Sequence, residues 1–325
     1  MKKSCYVKIL TAGLCLAILQ TVLFLLPLTA QGAVMEQEEE EVIDHVAVVS
    51  DLEELIEYWE DDMTLVLEPG EYNITEYLRS LSNPPRWNYD GINEKGLYYT
   101  DEFDGPEMIA CGYSNITIVS ADRENPASIV CEPRYADVLS FNSCYNIIID
   151  GIIAGHTPEK GSCAGDVISL EECSNVTVTG CDLYGCGTYA FTIDSCYNVS
   201  AIDCNIHDCS YGCVTAWSTE GLRFIRSDFH DCREFTMFEL SGGTTDFIAC
   251  DFRNLDGGFI SSGSGKVSFT GCSFDDPIRE ELTEKGYIAE KDSGKEHDSA
   301  DDGEITGLIS YTAKDQPVEL WDESW

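Results

Sequence analysis

Three columns of side chains that can exchange protons or bind cations recur at an interval of 23 residues, closing with 22, in the second half of the chain. Asp182, Asn205, Asp228, Asp251 and Ser273 make the first; Tyr184, His207, His230, Arg253 and Asp275 the second; Gly185, Asp208, Asp231, Asn254 and Asp276 the third. Two of the five histidines thus fall one interval apart, flanked by carboxylates and an arginine. A carboxyl beside another carboxyl can hold its proton, an imidazole titrates near neutrality, and a guanidinium meets developing negative charge. Those are the parts of general acid–base work on a glycosidic linkage. His207, His230, Asp228, Asp251 and Arg253 are accordingly the candidate catalytic residues, and Tyr184, Asp208 and Asp231 candidate substrate contacts. The carboxylates Asp182, Asp228 and Asp251 equally suit Ca²⁺, a hard cation that takes oxygen ligands; no other cofactor is required. The plainer reading is that polar residues fill the outward positions of strands, with stacked Asp and Asn finishing turns.

The interval is set by a repeat. Asn115 to Ile118, Asn146 to Ile149, Asn175 to Val178, Asn198 to Ala201, Gly221 to Phe224, Thr244 to Phe247 and Lys266 to Phe269 start at separations of 31, 29, 23, 23, 23 and 22 residues, each with alternating apolar positions. Such a period predicts a β-solenoid, whose coils cannot bury an apolar side alone and stack about 4.8 Å apart. Cys181, Cys204, Ser227, Cys250 and Cys272 form one inward column; Leu183, Ile206, Phe229, Phe252 and Phe274 form a second; Cys186, Cys209, Cys232 and Leu255 form a third. Cys144, Cys173 and Cys196 stand two residues before the coil starts. Columns of three cysteines cannot pair completely, and Ser or Leu takes equivalent places. The reading is therefore buried free thiols; a disulfide staple is the alternative, and the spacings lack a tight Cys-x2-Cys metal knuckle.

The rest of the chain bounds the setting. Lys2, Lys3 and Lys8 precede an apolar run from Ile9 to Leu28 and small residues near Ala30 to Ala33, an export signal over 1–33 that, left uncut, is long enough to anchor the chain in a membrane. Residues 34–45 read as an acidic linker. Ser50 to Glu53 read as a capping box, opening an amphipathic helix at 51–60 that covers the first coil. Residues 78–110 read as a long irregular excursion. The solenoid with its cap spans 46–277, and 278–325 is an acidic tail with a terminal strand or cap near 278–288 or 305–311. With 59 acidic against 19 basic side chains and a formal charge of −40, the surface repels phosphate, which excludes nucleic acid as a partner. The same field favours neutral over acidic glycans.

The helix leading to Leu67 through Tyr72 (Leu-Glu-Pro-Gly-Glu-Tyr), followed by Asn-Val-x-Val and Cys-x-Leu coils, resembles the right-handed parallel β-helix proteins of the pectate-lyase-like superfamily. Gly155 to Thr157 and Leu183 to Gly187 are similar to a group of bacterial secreted proteins with that domain. The resemblance covers about 46–277. It implies an all-β right-handed parallel β-helix with a short N-terminal capping helix, acting outside the cell or at its surface with an extracellular or cell-wall glycan. The implied roles are a non-catalytic binding module or, alternatively, a polysaccharide lyase or glycoside hydrolase. The polygalacturonase signatures Asn-Thr-Asp and Arg-Ile-Lys and the pectate-lyase Trp-x-Asp-His segment do not occur. Long corner loops shape the groove in such an architecture, which makes His156 and Asp166, on the longest coil, substrate-binding candidates. Trp217, one coil after Asp194, is a candidate stacking platform. An enzyme would hold the three columns in a groove walled by the 151–166 and 78–110 loops, whereas a binding protein would present an open strip.

Overall fold

The computed structural model describes residues 45–89, 91–157, 164–185, 187–288 and, as backbone, 311–312. The export segment, most of the acidic linker, residues 158–163 at the end of the 155–161 insertion, Cys186 and most of the acidic tail lie outside the described residues.

Three long sheets run side by side along the chain's coils. Sheet A holds Val46–Val49, Thr64–Leu67, Ser114–Ser120, Tyr145–Asp150, Ser174–Thr179, Tyr197–Ile202, Leu222–Ile225, Thr244–Ile248 and Lys266–Thr270, all parallel, and is closed by Tyr311–Thr312 running antiparallel. Sheet B holds Glu71–Asn73, Ser128–Cys131, Ile153–His156, Asp182–Tyr184, Asn205–His207, Asp228–His230, Asp251–Arg253 and Ser273–Phe274. Sheet C begins with an antiparallel hairpin, Gly96–Glu102 and Gly105–Cys111, and continues in parallel through Leu139–Asn142, Ile168–Glu171, Phe191–Asp194, Val214–Trp217, Arg233–Ser241 and Asp256–Ser262. The coil starts read from the sequence are the sheet A strands.

Asparagine opens these coils because the backbone there is left-handed. Asn115, Asn146, Asn175 and Asn198 have φ of 55–57°, a region where the short amide side chain is tolerated. Their amides also stack: Asn146 Nδ2 donates to Asn115 Oδ1 at 2.7 Å and Asn198 Nδ2 to Asn175 Oδ1 at 2.7 Å. The core between the sheets changes along the chain. Early coils bury Ile116, Ile118, Ile147, Ile149, Val176 and Val178; later coils bury Phe224, Phe247 and Phe269 in one stack and Phe229, Phe252 and Phe274 in another, with neighbouring centroids 5.0–5.2 Å apart. The described cysteines are buried and unbridged. They sit at corners, where Cys173 Sγ donates to the carbonyls of Phe141 and Glu171 and accepts from Cys144 N at 3.4 Å.

Helix α1, Leu52–Glu57, covers the first coil with Leu52 and Leu55, but its cap is Asp51 rather than Ser50. Asp51 Oδ1 accepts from Glu54 N at 2.9 Å and Glu54 Oε2 accepts from Ser50 N at 2.8 Å, so the reciprocal box lies one residue later than the sequence reading put it. The 78–110 segment is also less irregular than expected. Asn73 caps a second helix, α2, Ile74–Ser80, and the hairpin supplies two strands to sheet C; alternation in Gly96–Cys111 was masked by aromatics and by the Asp104–Gly105 turn. Helix α3, Asp276–Glu284, closes the far end, burying Ile278 and Leu282, while Glu281 accepts from Phe259 N and Ile260 N at the sheet C edge.

Candidate functional site

The columns meet on sheet B as the spacing requires. Register pairs Asp182 with Asn205, Asp228, Asp251 and Ser273, and Tyr184 with His207, His230 and Arg253. Alternation turns these side chains outward and Leu183, Ile206, Phe229 and Phe252 inward. The His207 and His230 rings stack 5.1 Å apart at 3°, with Tyr184 5.9 Å beyond. Each histidine reaches diagonally back one coil: His207 Nε2 to Asp182 Oδ1 at 2.9 Å, His230 Nε2 to Asn205 Oδ1 at 2.9 Å. Each Nδ1 meets its own neighbour, Asp208 at 2.9 Å and Asp231 at 2.7 Å. Carboxylates on both nitrogens of His207 make it a double donor, and the Asp182 hydrogen bond first, then Asp208, lifts its pKa to about 9 despite burial. The same bond holds Asp182 below the usual carboxylate range, and His230 does so for Asp231. Arg253 bonds Asp228 and lies 3.7 Å from Asp251; Ser273 donates to Asp251 and Asn254 to Asp231. Asp182, Asp228 and Asp251, read as a calcium column, thus each answer different neighbours. Among the described residues no group of three or more His, Cys, Asp or Glu side chains is arranged to hold a metal ion.

An open cavity of about 400 Å³ runs beside the strip, lined by Asp208, Asp231, Cys232, Arg233, Asn254 and Asp256. No described residue of 78–110 or 151–166 lines it. His156 and Asp166 do not face it. His156 is 2% exposed, donates from Nε2 to Ala136 O at 2.8 Å, and is held neutral by burial, its Nδ1 unpartnered near the Gly185 backbone. Trp217 is 43% exposed at the C-terminal end of an interior sheet C strand, in register with Asp194 and Ser241.

Asp166 belongs to a second arrangement that sequence reading did not find. Glu107 Oε2 accepts from Asp137 N at 3.0 Å, Asp137 Oδ1 from Asp166 N at 2.7 Å, and Asp166 Oδ1 from Tyr189 N at 3.0 Å. Each carboxyl takes the amide of the next coil, making a staircase along sheet C. Burial, then the neighbouring carboxylates, pushes Glu107 and Asp166 well above the carboxylate range; burial pushes Asp137 to about 6. The signal lay in separations of 30, 29 and 23 between Glu107, Asp137, Asp166 and Tyr189, which follow the coil period but fall outside the motif-bearing strands.

A family model described as "Right handed beta helix region" matches residues 128–279, which hold the sheet B strip and all of the staircase but Glu107. The chain folds as a right-handed parallel β-helix. No curated protein matches it. Among solved structures, an alginate lyase from Paenibacillus sp. str. FPU-7 is 13% identical over 71% of this chain and 87% of its own, with a TM-score of 0.40. The pectate lyase Pel9A is 12% identical over 66% of this chain and 55% of its own, at 0.38. A putative glycosyl hydrolase from Parabacteroides merdae ATCC 43184 is 13% identical over 46% of this chain and 79% of its own, at 0.31.

The β-helix carries two titratable columns with opposite chemistry, one on the outer face of sheet B and one largely buried on sheet C. The sheet B strip is a largely paired set of donors and acceptors, with Asp228 Oδ1 left buried and without a partner, able to hydrogen-bond a hydroxyl-rich ligand from its edges. The sheet C staircase holds carboxyls whose affinity for a proton is raised by burial. Among the described residues no helix is long and apolar enough to cross a membrane.

Proposed function

We propose that the protein is an exported, carbohydrate-associated β-helix module of the cell surface or exterior that holds glycan without cleaving it. The observation that carries this reading is the matching of the sheet B strip to itself. His207 keeps protons on both nitrogens between Asp182 and Asp208, and Arg253 is engaged by Asp228 and Asp251, so His207 is not offered to a scissile bond as a free base nor Arg253 as a free cation. Open carboxylate and amide edges suit sugar hydroxyls, and the acidic surface turns away nucleic acid and polyuronates. Acidic glycan would need Ca²⁺ to bridge it to Asp182, Asp228 or Asp251. The uncleaved N-terminal segment would be the sole attachment to a membrane.

A second reading, polysaccharide lyase or glycoside hydrolase, is favoured by one observation: the staircase stacks carboxyls at one coil spacing, with burial raising Asp137 to about 6 and Asp166 well above the carboxylate range, the direction that suits a general acid. Incubating the mature protein with a glycan panel, while measuring binding by calorimetry and product by reducing ends and unsaturated-uronate absorbance, separates the two. Binding without product is expected. Product that disappears in Asp166→Asn would establish the enzyme instead.

A further inference from the structure

A second groove, on the edge of sheet C away from the strip, is built for a more specific ligand. It has a volume of about 560 Å³ and lies between the loop bearing Trp87, Tyr89 and Ile92 and the coil residues Asn142, Glu171 and Glu172. Tyr89 is 71% and Ile92 96% exposed, so both offer apolar surface at the groove. The loop is pre-shaped. Asn88 N donates to Asn93 Oδ1 and Asn93 Nδ2 back to Asn88 O, both at 3.0 Å. Trp87 N donates to Tyr99 O at 3.0 Å, and the Trp87 ring packs edge-on to Tyr98. The Tyr89 hydroxyl pairs with Thr100 at 2.8 Å, which anchors the ring at its tip and leaves its face open. Across the groove Asn142 Nδ2 donates to Glu171 Oε2 at 2.6 Å and Ser143 Oγ bonds Asn142, so the polar wall is also fixed. Register continues that wall through Asp194 to Trp217, a second exposed ring two coils, or about 10 Å, beyond Glu171.

Aromatic faces opposite carboxylates select a sugar ring that carries positive charge. The rings offer stacking and cation–π attraction, the carboxylates offer charge-assisted hydrogen bonds, and no Lys or Arg is among the described residues lining the groove. We infer that this groove binds a short run of amino sugars with free, protonated amines, a glucosamine-type oligosaccharide, with one end over Trp87 and Tyr89 and the other toward Trp217. The inference rests on the glycan-binding reading above and names the sugar class.

Calorimetry on the mature full chain, in mildly acidic low-salt buffer, with glucosamine, N-acetylglucosamine and galacturonate oligomers of equal length tests it. The glucosamine oligomer should bind about tenfold or more tighter than the acetylated one. Glu171→Gln with Glu172→Gln should remove that preference, and Tyr89→Ala, at an exposed ring, should weaken both amino-sugar oligomers. Glu53→Gln with Glu57→Gln on α1 makes the same charge change elsewhere and should leave binding unaltered. Equal weakening by both double variants would assign the attraction to overall charge and overturn the inference, as would equal or tighter binding of the acetylated oligomer. Binding of acetylated or acidic oligomers without an amine preference leaves the glycan reading standing and removes only the amino-sugar assignment; silence from the whole panel removes both.

Discussion

The sheet B strip and the sheet C staircase are built by the same coil repeat yet handle charge in opposite ways. On sheet B, carboxylates alternate with imidazole, amide and guanidinium, so each ion finds a partner: His207 rises to about 9 and Asp182 falls. On sheet C the carboxyls stack on one another, and burial drives Glu107, Asp137 and Asp166 upward. A repeat places side chains one coil apart; whether the column becomes a salt network or a proton store depends on what the sequence puts at alternate steps.

The largest effect lies in the staircase. A carboxyl whose folded pKa is raised binds more protons folded than unfolded, so its contribution is fully present below the unfolded value near 3.8 and disappears as pH rises through the folded one. For Asp137 that window runs from 3.8 to about 6, and the loss across it is about 3 kcal/mol. Glu107 and Asp166, also raised by burial, act in the same direction. Asp137→Asn keeps the oxygen that accepts from Asp166 N while removing the charge that faces Glu102, Glu107 and Asp166. Urea unfolding should therefore give a variant about 2–3 kcal/mol more stable than wild type at pH 7 and level with it at pH 4. An unchanged slope between those values would mean the carboxyls are not stacked in solution.

The strip should respond in a different window. His207 is raised, so its contribution is complete below 6.5 and fades through about 9, while that of Asp182 is present above 3.8 and lost as pH falls through its depressed value. Because Asp182 is partly exposed, screening reduces the full shift of His207 to about 1–2 kcal/mol. His207→Gln should lose that amount near pH 5.5 and nothing above pH 10, measured by the same unfolding series. Arg253→Gln, at an exposed pair with Asp228 and Asp251, should cost less than about 1 kcal/mol, and high salt should erase the difference.

The coils, their register and the strip could be read from the sequence because each rests on a short-range signal: Asn at a left-handed corner, period-2 alternation, and a fixed interval carrying Asp182 onto Asp228 and Tyr184 onto His207. The staircase and the aromatic groove could not, for two reasons. Glu107 and Asp137 precede the regular 23-residue coils, and the loop at 87–93 meets Glu171 only through the fold. The capping box was displaced by one residue because Ser50 and Asp51 are both competent caps, and only the tertiary contact of Leu52 decides between them. His156 looked like a loop residue from its Gly and Thr neighbours, but its strand pairs with Ser128–Cys131 and carries it inside.

A third kind of column, uncharged and buried, sharpens the contrast with the smallest effect. Cys250 Sγ donates to Phe224 O at 3.3 Å and Ile248 O at 3.6 Å. One coil earlier Ser227 Oγ makes the equivalent bonds to Ala201 O and Ile225 O, both at 3.3 Å, and accepts from Cys204 N at 3.2 Å. The corner thus needs a small side chain that can donate, and the thiol serves for that as well as for its apolar bulk. If so, Cys250→Ser should change stability by less than about 1 kcal/mol, since one buried donor replaces another. Cys250→Leu, which adds volume and removes the donor, should cost about 1–3 kcal/mol. Were the column held by apolar burial alone, the order would reverse, serine becoming the costlier change because its hydroxyl would be buried without recompense. Thiol titration in denaturant without reductant accompanies the comparison: more than half of the mature protein's cysteines should react, because a corner that uses its sulfur as a hydrogen-bond donor leaves none to pair along the column.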